Sequence, residues 1–407
     1  MHNNGFFLEN KFSAKGSLWK ERASDLEKVS IIQKENNIPK LLAKILAGRD
    51  VNSSEVNSFL NPEVNKLILD PSKLYDLDKG VDFISDCMSK KQRIGILGDY
   101  DVDGATSSSI LKLFFDHYNI QTEIYIPDRL KEGYGPNKLA IDFFSNQGID
   151  TFITVDCGAT SIEPMIYAQS KGMNPIIIDH HKVDSDLPVS YAHINPSREE
   201  DSSGLNDLAA VGLTFIFIVG LRRAIRDKNI FPDIKEPSLK QYLDLVSLGT
   251  VCDVVPLIGL NRAIVKQGLK IIKQRSNLGL KTLYDICKIE SQPTTFDLGF
   301  VLGPRINAGG RVGKSSHGSE LLISDDPQKT YKIAIDLDKS NKERKSIEMM
   351  LSEQINTEVK KYHNHPVLVM SGKSWHEGII GIVASRIKDK YNKPTILISL
   401  NDKVGKG

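Results

Sequence analysis

The sequence predicts an α/β protein with a doubly wound parallel sheet. Three observations carry this. Short β-rich runs at 93–97, 122–127, 151–155 and 175–178 recur along the chain. Longer helical stretches alternate with them, in the βαβα order that builds parallel sheets. Acid or histidine follows directly after three of the four runs, where a parallel sheet places its ligands.

The helices expected between the runs cover 105–118, 136–146 and 161–171, the second opening on Pro136, a residue tolerated in a first helical turn. Further helix is expected at 209–226 and 239–248, and the polar stretch 197–207 reads as a surface loop. Near residue 290 the apolar pattern loosens into SQPTTFDLGFVLGPRINAGGRVG, and 326–362 reads as a long, charged helical connector. A second, smaller and incomplete α/β domain follows, with a strand at 366–372, a helix at 377–391 and a strand at 394–400. This gives an N-terminal segment at 1–75, a first α/β domain at 76–290, an inter-domain segment at 291–362 and a partial domain at 363–407.

Bulk composition narrows the function classes. The 407 residues are 40% hydrophobic and 26% charged, which are globular values, and no apolar run approaches the ~20 residues of a bilayer span. A membrane role is therefore not expected. The first 20 residues lack the apolar core of a secretory signal, and the four cysteines form no CxxC pair, so a reducing cytoplasm fits best. With a net charge of +2, a polyanionic partner would have to be held by local clusters of cations.

The chemistry gathers at the strand ends. GDYDVDG supplies Asp99, Asp101 and Asp103; TVDCGA supplies Asp156; IIIDHHK supplies Asp179, His180 and His181; and Asp253 in SLGTVCDVVPL could close the site from the other side. Carboxylates crowded into one crevice repel one another unless cations sit among them. Oxygen-rich ligation with one imidazole favours Mn²⁺ or Mg²⁺ over structural zinc, two ions rather than one. A calcium loop fits poorly, because the position that should be Glu is Ile110. AGGRVGKS (308–315) nearly matches a Walker A loop, but Pro304 and Asn307 interrupt the strand that should precede it. Cys157 and Cys252 adjoin the aspartates but read as packing residues.

GDYDVDG, TVDCGA, DHH and VCDVVPL, in this order, resemble the motifs of the DHH phosphoesterase superfamily. GPRINAGGR (303–311) and SWHEGIIGIVASR (374–386) resemble the inter-domain segment and the opening of the DHHA1 domain in its RecJ branch. The resemblance spans about 60–407. It implies a two-metal, single-stranded-DNA-specific 5′→3′ exonuclease of DNA repair and recombination, using Mn²⁺ or Mg²⁺. Asp101 and Asp156 would hold one ion and Asp103, Asp156, His180 and Asp253 the other, with Asp156 bridging. Asp99 would serve as ligand or ligand support, and His181 would face the scissile phosphate. Single-stranded DNA is the implied partner, with a single-strand-binding protein or a helicase as candidates for recruitment.

Substrate contacts are expected from Arg129, Arg305, Asn307, Arg311, His376 and Arg386. His376 lies in a strand-to-helix turn beside Gly378, where helix N-terminal amides favour anions, and the glycines of NAGGR would let backbone approach a phosphate. Two rival readings are a DHH phosphatase or phosphodiesterase of small substrates, such as nano-oligonucleotides or pyrophosphate, and a catalytically silent RecJ-like scaffold. Retention of all the acids and His180 speaks against the scaffold; GPRINAGGR and the long connector speak against the small-substrate enzyme. The ending Gly405-Lys406-Gly407 resembles the opening of a glycine-rich turn, cut short, so the chain is expected to be a fragment.

Overall fold

The computed structural model describes residues 12–14, 16–19, 22, 25–362, 364–401 and 404–407. These divide into two compact units, Met1–Ile68 with Ile258–Lys266, and Leu69–Leu257 with Gln267–Gly407.

The smaller unit is helical. α1 (Leu26–Asn36) is capped by the Asp25 carboxylate, which accepts from the Lys28 N–H, and it is followed by α2 (Lys40–Ala47), α3 (Val56–Leu60) and α4 (Val64–Leu67). Val29, Ile32, Ala43, Leu46 and Val56 form its core. Arg262 joins it through a hydrogen bond to the Phe59 carbonyl (2.7 Å) and a cation–π contact with the Phe59 ring (4.2 Å).

The larger unit opens with α5 (Leu77–Ser89) and then alternates strand and helix. The series runs β1 (Ile94–Gly98), α6 (Val102–His117), β2 (Thr122–Tyr125), α7 (Lys138–Asn146), β3 (Thr151–Val155), α8 (Ile162–Ser170), β4 (Asn174–Ile178) and β5 (Ala192–Ile194). All five strands are parallel, in the order β2-β1-β3-β4-β5. Every residue of β1, β3 and β5 is buried, as in a sheet covered on both faces by helices. The order reverses direction between β1 and β3, and such a switch point opens a crevice at the carboxyl ends of the strands.

α9 (Ala210–Asp227) and α10 (Leu243–Cys252) follow, and α11 (Gly259–Ile272) and α12 (Leu278–Ile286) lead to the stretch 291–313, which lies in the same compact unit as the sheet and as residues 363–407. The 197–207 loop is less exposed than its composition suggests. Arg198 is only 9% exposed, because it bonds the Asp76 carboxylate (3.1 Å), the His193 carbonyl (2.9 Å) and Glu200 (2.9 Å).

The segment around 291–313 is more ordered than its loose pattern implies. Asp297–Leu302 forms a π-helical turn that continues into α13 (Gly303–Val312), with Pro304 just past the junction of the two. The glycines of NAGGR serve helix packing. A Cβ at Gly309 would stand 2.9 Å from the Lys314 carbonyl oxygen, and one at Gly310 3.0 Å from that of Tyr100. Their close backbone approach is thus to the protein itself rather than to a phosphate. Because 308–312 lies inside this helix, AGGRVGKS is no loop between strand and helix.

α14 (His317–Ile323) precedes the connector α15 (Pro327–Val359), whose N-terminal amides at Gln328 and Lys329 bond the Asp326 carboxylate. β6 (Leu368–Lys373), α16 (Glu377–Tyr391), β7 (Thr395–Leu400) and β8 (Gly405–Lys406) complete the chain. β6 and β7 are parallel. Gly405 and Lys406 pair antiparallel with Leu400 and Ser399, the return being closed by reciprocal backbone bonds between Asn401 and Val404. The expected glycine-rich turn is therefore a short strand at this point. Among the described residues, no helix is long and apolar enough to cross a membrane.

Candidate metal centre

The three central strands deliver one acid each. Asp99, Asp156 and Asp179 directly follow β1, β3 and β4, and their N–H groups extend the ladder to the Val155, Ile178 and Ile194 carbonyls. Continued pairing fixes the register in which these side chains leave the sheet. Asp156 adopts a left-handed φ of 61°, a conformation uncommon for a non-glycine residue, and the Tyr134 hydroxyl donates to its carbonyl at 2.8 Å.

Asp101 caps α6, its Oδ1 accepting from the Asp103 and Gly104 N–H groups (2.8 and 3.1 Å). Gly104 has no substitute here, since a Cβ would lie 2.4 Å from the Asp99 carbonyl oxygen. Asp103 is held from α9: its two oxygens accept from Ala210 N–H (2.7 Å) and Val211 N–H (2.9 Å) at the start of that helix. Asp253 is the C-cap of α10.

His180 sits among these acids. Its Nε2 lies 3.3 Å from Asp156 Oδ1, 3.7 Å from Asp253 Oδ2 and 3.9 Å from Asp103 Oδ2, yet is buried without a hydrogen-bond partner. Asp99, Asp101 and Asp156 form a second set of close carboxylates, and Asp99 Oδ1 is likewise buried and unpaired. Asp156 belongs to both groupings.

The electrostatics follow from this crowding. Burial, then the Asp101 charge, raises Asp99 to about 8 and Asp253 to about 7. Asp103 is pushed well above the ordinary carboxylate value by burial and the Asp253 charge, and Asp156 by burial and the Asp101 charge. Burial and the neighbouring His181 hold His180 below its usual value, keeping the imidazole neutral. A divalent ion would reverse the carboxylate shifts by favouring their charged forms, and would further favour the neutral imidazole of His180. Buried oxygens with one neutral imidazole suit Mn²⁺ or Mg²⁺.

Asp179, left out of the expected ligand sets, turns out to position His181. Its Oδ1 accepts from His181 Nδ1 (2.7 Å) and from the His180 and His181 N–H groups, and its Oδ2 accepts from Ala159 N–H (2.9 Å). Burial would raise this carboxyl, but the His181 contact and the amides bring it below its ordinary value, and the same contact raises His181 to about 9. Tyr134, also absent from the expected set, lies 3.4 Å from His181 Nδ1. Cys157 and Cys252 donate to the Val155 and Leu298 carbonyls (both 3.4 Å).

The expected substrate residues separate into two groups. Arg129 lies over the Tyr100 ring (4.8 Å), and with Arg311, Gly378 and Lys406 it lines a cavity of about 720 Å³. Arg311 also donates to the Gly378 carbonyl (3.0 Å). His376 caps α16, its Nδ1 accepting from Gly378 N–H (3.2 Å). The others are held elsewhere. Arg305 bonds Asp338 (2.9 Å) and the Val301 carbonyl (2.7 Å), Arg386 pairs with buried Glu348 (2.5 Å), and Asn307 Oδ1 accepts from Val102 N–H (3.0 Å), tying α13 to the start of α6.

Comparison with known proteins places this geometry in context. Residues 93–250 match the DHH family, N-terminal domain. The single-stranded-DNA-specific exonuclease RecJ of Haemophilus influenzae is 34% identical over 88% of this chain and 63% of its own length, and that of Bacillus subtilis 30% identical over 95% and 48%. The chain thus spans about half to two thirds of the length of these relatives. A crystal structure of exonuclease RecJ bound to manganese superposes with a TM-score of 0.71 at 28% identity, covering 80% of each chain. RecJ of Thermus thermophilus in complex with Mn²⁺ gives 0.77 at 24% identity, over 92% of this chain and 52% of that one.

Proposed function

We propose that this chain, which carries a match to the DHH family's N-terminal domain and is similar to RecJ proteins, is a metal-dependent phosphodiesterase acting on single-stranded DNA as a 5′→3′ exonuclease. The observation that carries the reading is the crowd of buried carboxylates around His180, with which no lysine or arginine among the described residues pairs.

Asp101 and Asp156 would hold one Mn²⁺ or Mg²⁺, with Asp99 beside them, and Asp103, Asp156, His180 and Asp253 the other. Such a pair, when bound, supplies a water of lowered pKa and charge stabilisation for attacking and leaving oxygens. The chain's own groups do the rest. Asp156 Oδ1 lies beside His180 and the same carboxylate groups with Asp99 and Asp101, and its left-handed backbone is braced by the Tyr134 hydroxyl. Asp179 orients His181, whose exposed ring can donate to a non-bridging oxygen of the scissile phosphate and support the charge that develops there. Arg129 and Arg311 bring positive charge to the adjoining cavity, so a phosphate at the strand's 5′ end is the group this cavity suits.

Within this reading, a single-strand-binding protein or a helicase would recruit the chain, and repair and recombination would be the setting. Its free cysteines fit the reducing cytoplasm. Digestion of 5′-labelled and 3′-labelled single strands with Mn²⁺ or Mg²⁺ tests the proposal. Stepwise release of 5′ mononucleotides is expected; cleavage confined to pyrophosphate or dinucleotides would support the small-substrate reading instead.

A further inference from the structure

We propose that Phe296 and Phe300 form a stacking platform for a nucleobase of the strand whose phosphate occupies the acid cluster, a subsite that rests on the single-strand reading above. The two rings stack on each other, with centroids 5.0 Å apart and planes 27° from parallel, yet remain 63% and 70% exposed. Large apolar side chains held together in a regular turn but left in solvent suit a planar partner. They belong to the π-helical turn at Asp297–Leu302 and the residue that precedes it, and π-turns are frequent at functional sites.

Position identifies the occupant. With Val251, Cys252, Val254 and Gly299, the rings line a cavity of about 410 Å³. Cys252 and Val254 flank Asp253, one of the acids of the metal centre, so this cavity lies directly beside the cluster. Val254 takes a left-handed φ of 63° and is 85% exposed, so the chain turns outward there and leaves an apolar rim beside the carboxylates. The cavity walls carry no charged side chain among the described residues, in contrast to the cavity holding Arg129, Arg311 and Lys406. Phosphates therefore suit the basic cavity and a base suits this one. Every base has a π-face, and the polar side-chain groups among these lining residues are only the Thr295 hydroxyl and the Cys252 thiol, the latter already donating to the Leu298 carbonyl, so the platform would grip bases with little regard to sequence.

The test uses the full chain and phosphorothioate-protected single strands carrying 2-aminopurine at successive positions from the 5′ end. Stacking predicts fluorescence quenching at one position, lost in Phe296→Ala/Phe300→Ala. Affinity should fall about tenfold in that variant, as expected for losing one stacked base. An abasic site at the same position should weaken the parent by the same factor and leave the variant unaffected. Phe296→Leu/Phe300→Leu, which keeps the apolar cover, should also lose quenching. No quenched position in the parent, additive losses from abasic site and variant, or a change only in oligomeric state would overturn the platform. A parent that quenches but does not cut would leave it standing and sink the exonuclease reading. A parent that cuts without quenching would do the reverse.

Discussion

The acids at the ends of β1, β3 and β4 and the arginines of the inter-domain segment and α16 are both dense runs of charge, but they are balanced oppositely. Arg305 is paired with Asp338 and Arg344 with Glu348, while Arg386 reaches the same Glu348. Asp99, Asp101, Asp103, Asp156 and Asp253 crowd together with no lysine or arginine paired to them among the described residues, around a histidine whose surroundings keep it neutral. Folding has neutralised Arg305, Arg344 and Arg386 and left these acids in deficit. A deficit that costs stability persists where something outside the chain offsets it, whereas a balanced pair is already accounted for by structure.

The largest effect should come from the acid at the centre of the deficit. Asp156→Asn keeps the shape and suits the left-handed backbone, so the fold should survive. Hydrolysis of single strands should nevertheless fall by at least about a thousandfold, the scale of losing several kcal/mol of metal-derived stabilisation. Activity within about tenfold of the parent would break the comparison from the acid side.

On the balanced side, Glu348→Ala strands the buried Arg344 guanidinium. The cost should be about 3–5 kcal/mol, read from urea unfolding. A loss below about 1 kcal/mol would show that the pair is not structural.

Asp244 is buried with no lysine or arginine paired to it among the described residues, yet lies outside the cluster. Burial raises its carboxyl to about 7. A raised carboxyl binds its proton more tightly folded than unfolded, so its contribution is complete below the unfolded value near 4 and is lost as pH rises to about 7. Asp244→Asn should therefore stabilise the chain by roughly 1–3 kcal/mol at pH 8 relative to pH 4. Urea midpoints of parent and variant at both values check this, and a pH-independent difference would contradict it.

The smallest effect is a contrast between arginines. Arg129→Ala should lower the salt dependence of single-strand binding by about 0.7 in log–log slope, the share of one phosphate contact. Arg305→Ala, already engaged by Asp338, should leave the slope unchanged. Equal reductions would place Arg305 on the strand's path.

The same contrast explains what was legible in the sequence. Strand ends could be read because each apolar run stops at a residue whose chemistry stands out, and Asp99, Asp156 and the Asp179–His181 run all follow in register. β5 could not, since Ala192–Ile194 is too short for a periodic signal. α13 was hidden by Pro304 and three glycines, residues that weaken a helix alone but here allow packing on Tyr100 and Lys314. The partners of Arg305 and Arg386 lie 33 and 38 residues away in sequence on α15, so nothing local distinguishes these side chains from solvated charge. Asp179 was visible as part of DHH, but its support of His181 depends on a 2.7 Å contact that spacing alone does not reveal.

The central claim is that the buried acids form a two-ion centre sharing Asp156. Calorimetric titration of the metal-free chain with Mn²⁺ tests it most directly, repeated on Asp156→Asn after matched thermal melts confirm folding. Two ions per chain are expected in the parent and at most one in the variant. Two ions retained by the variant, or none bound by the parent, would contradict it.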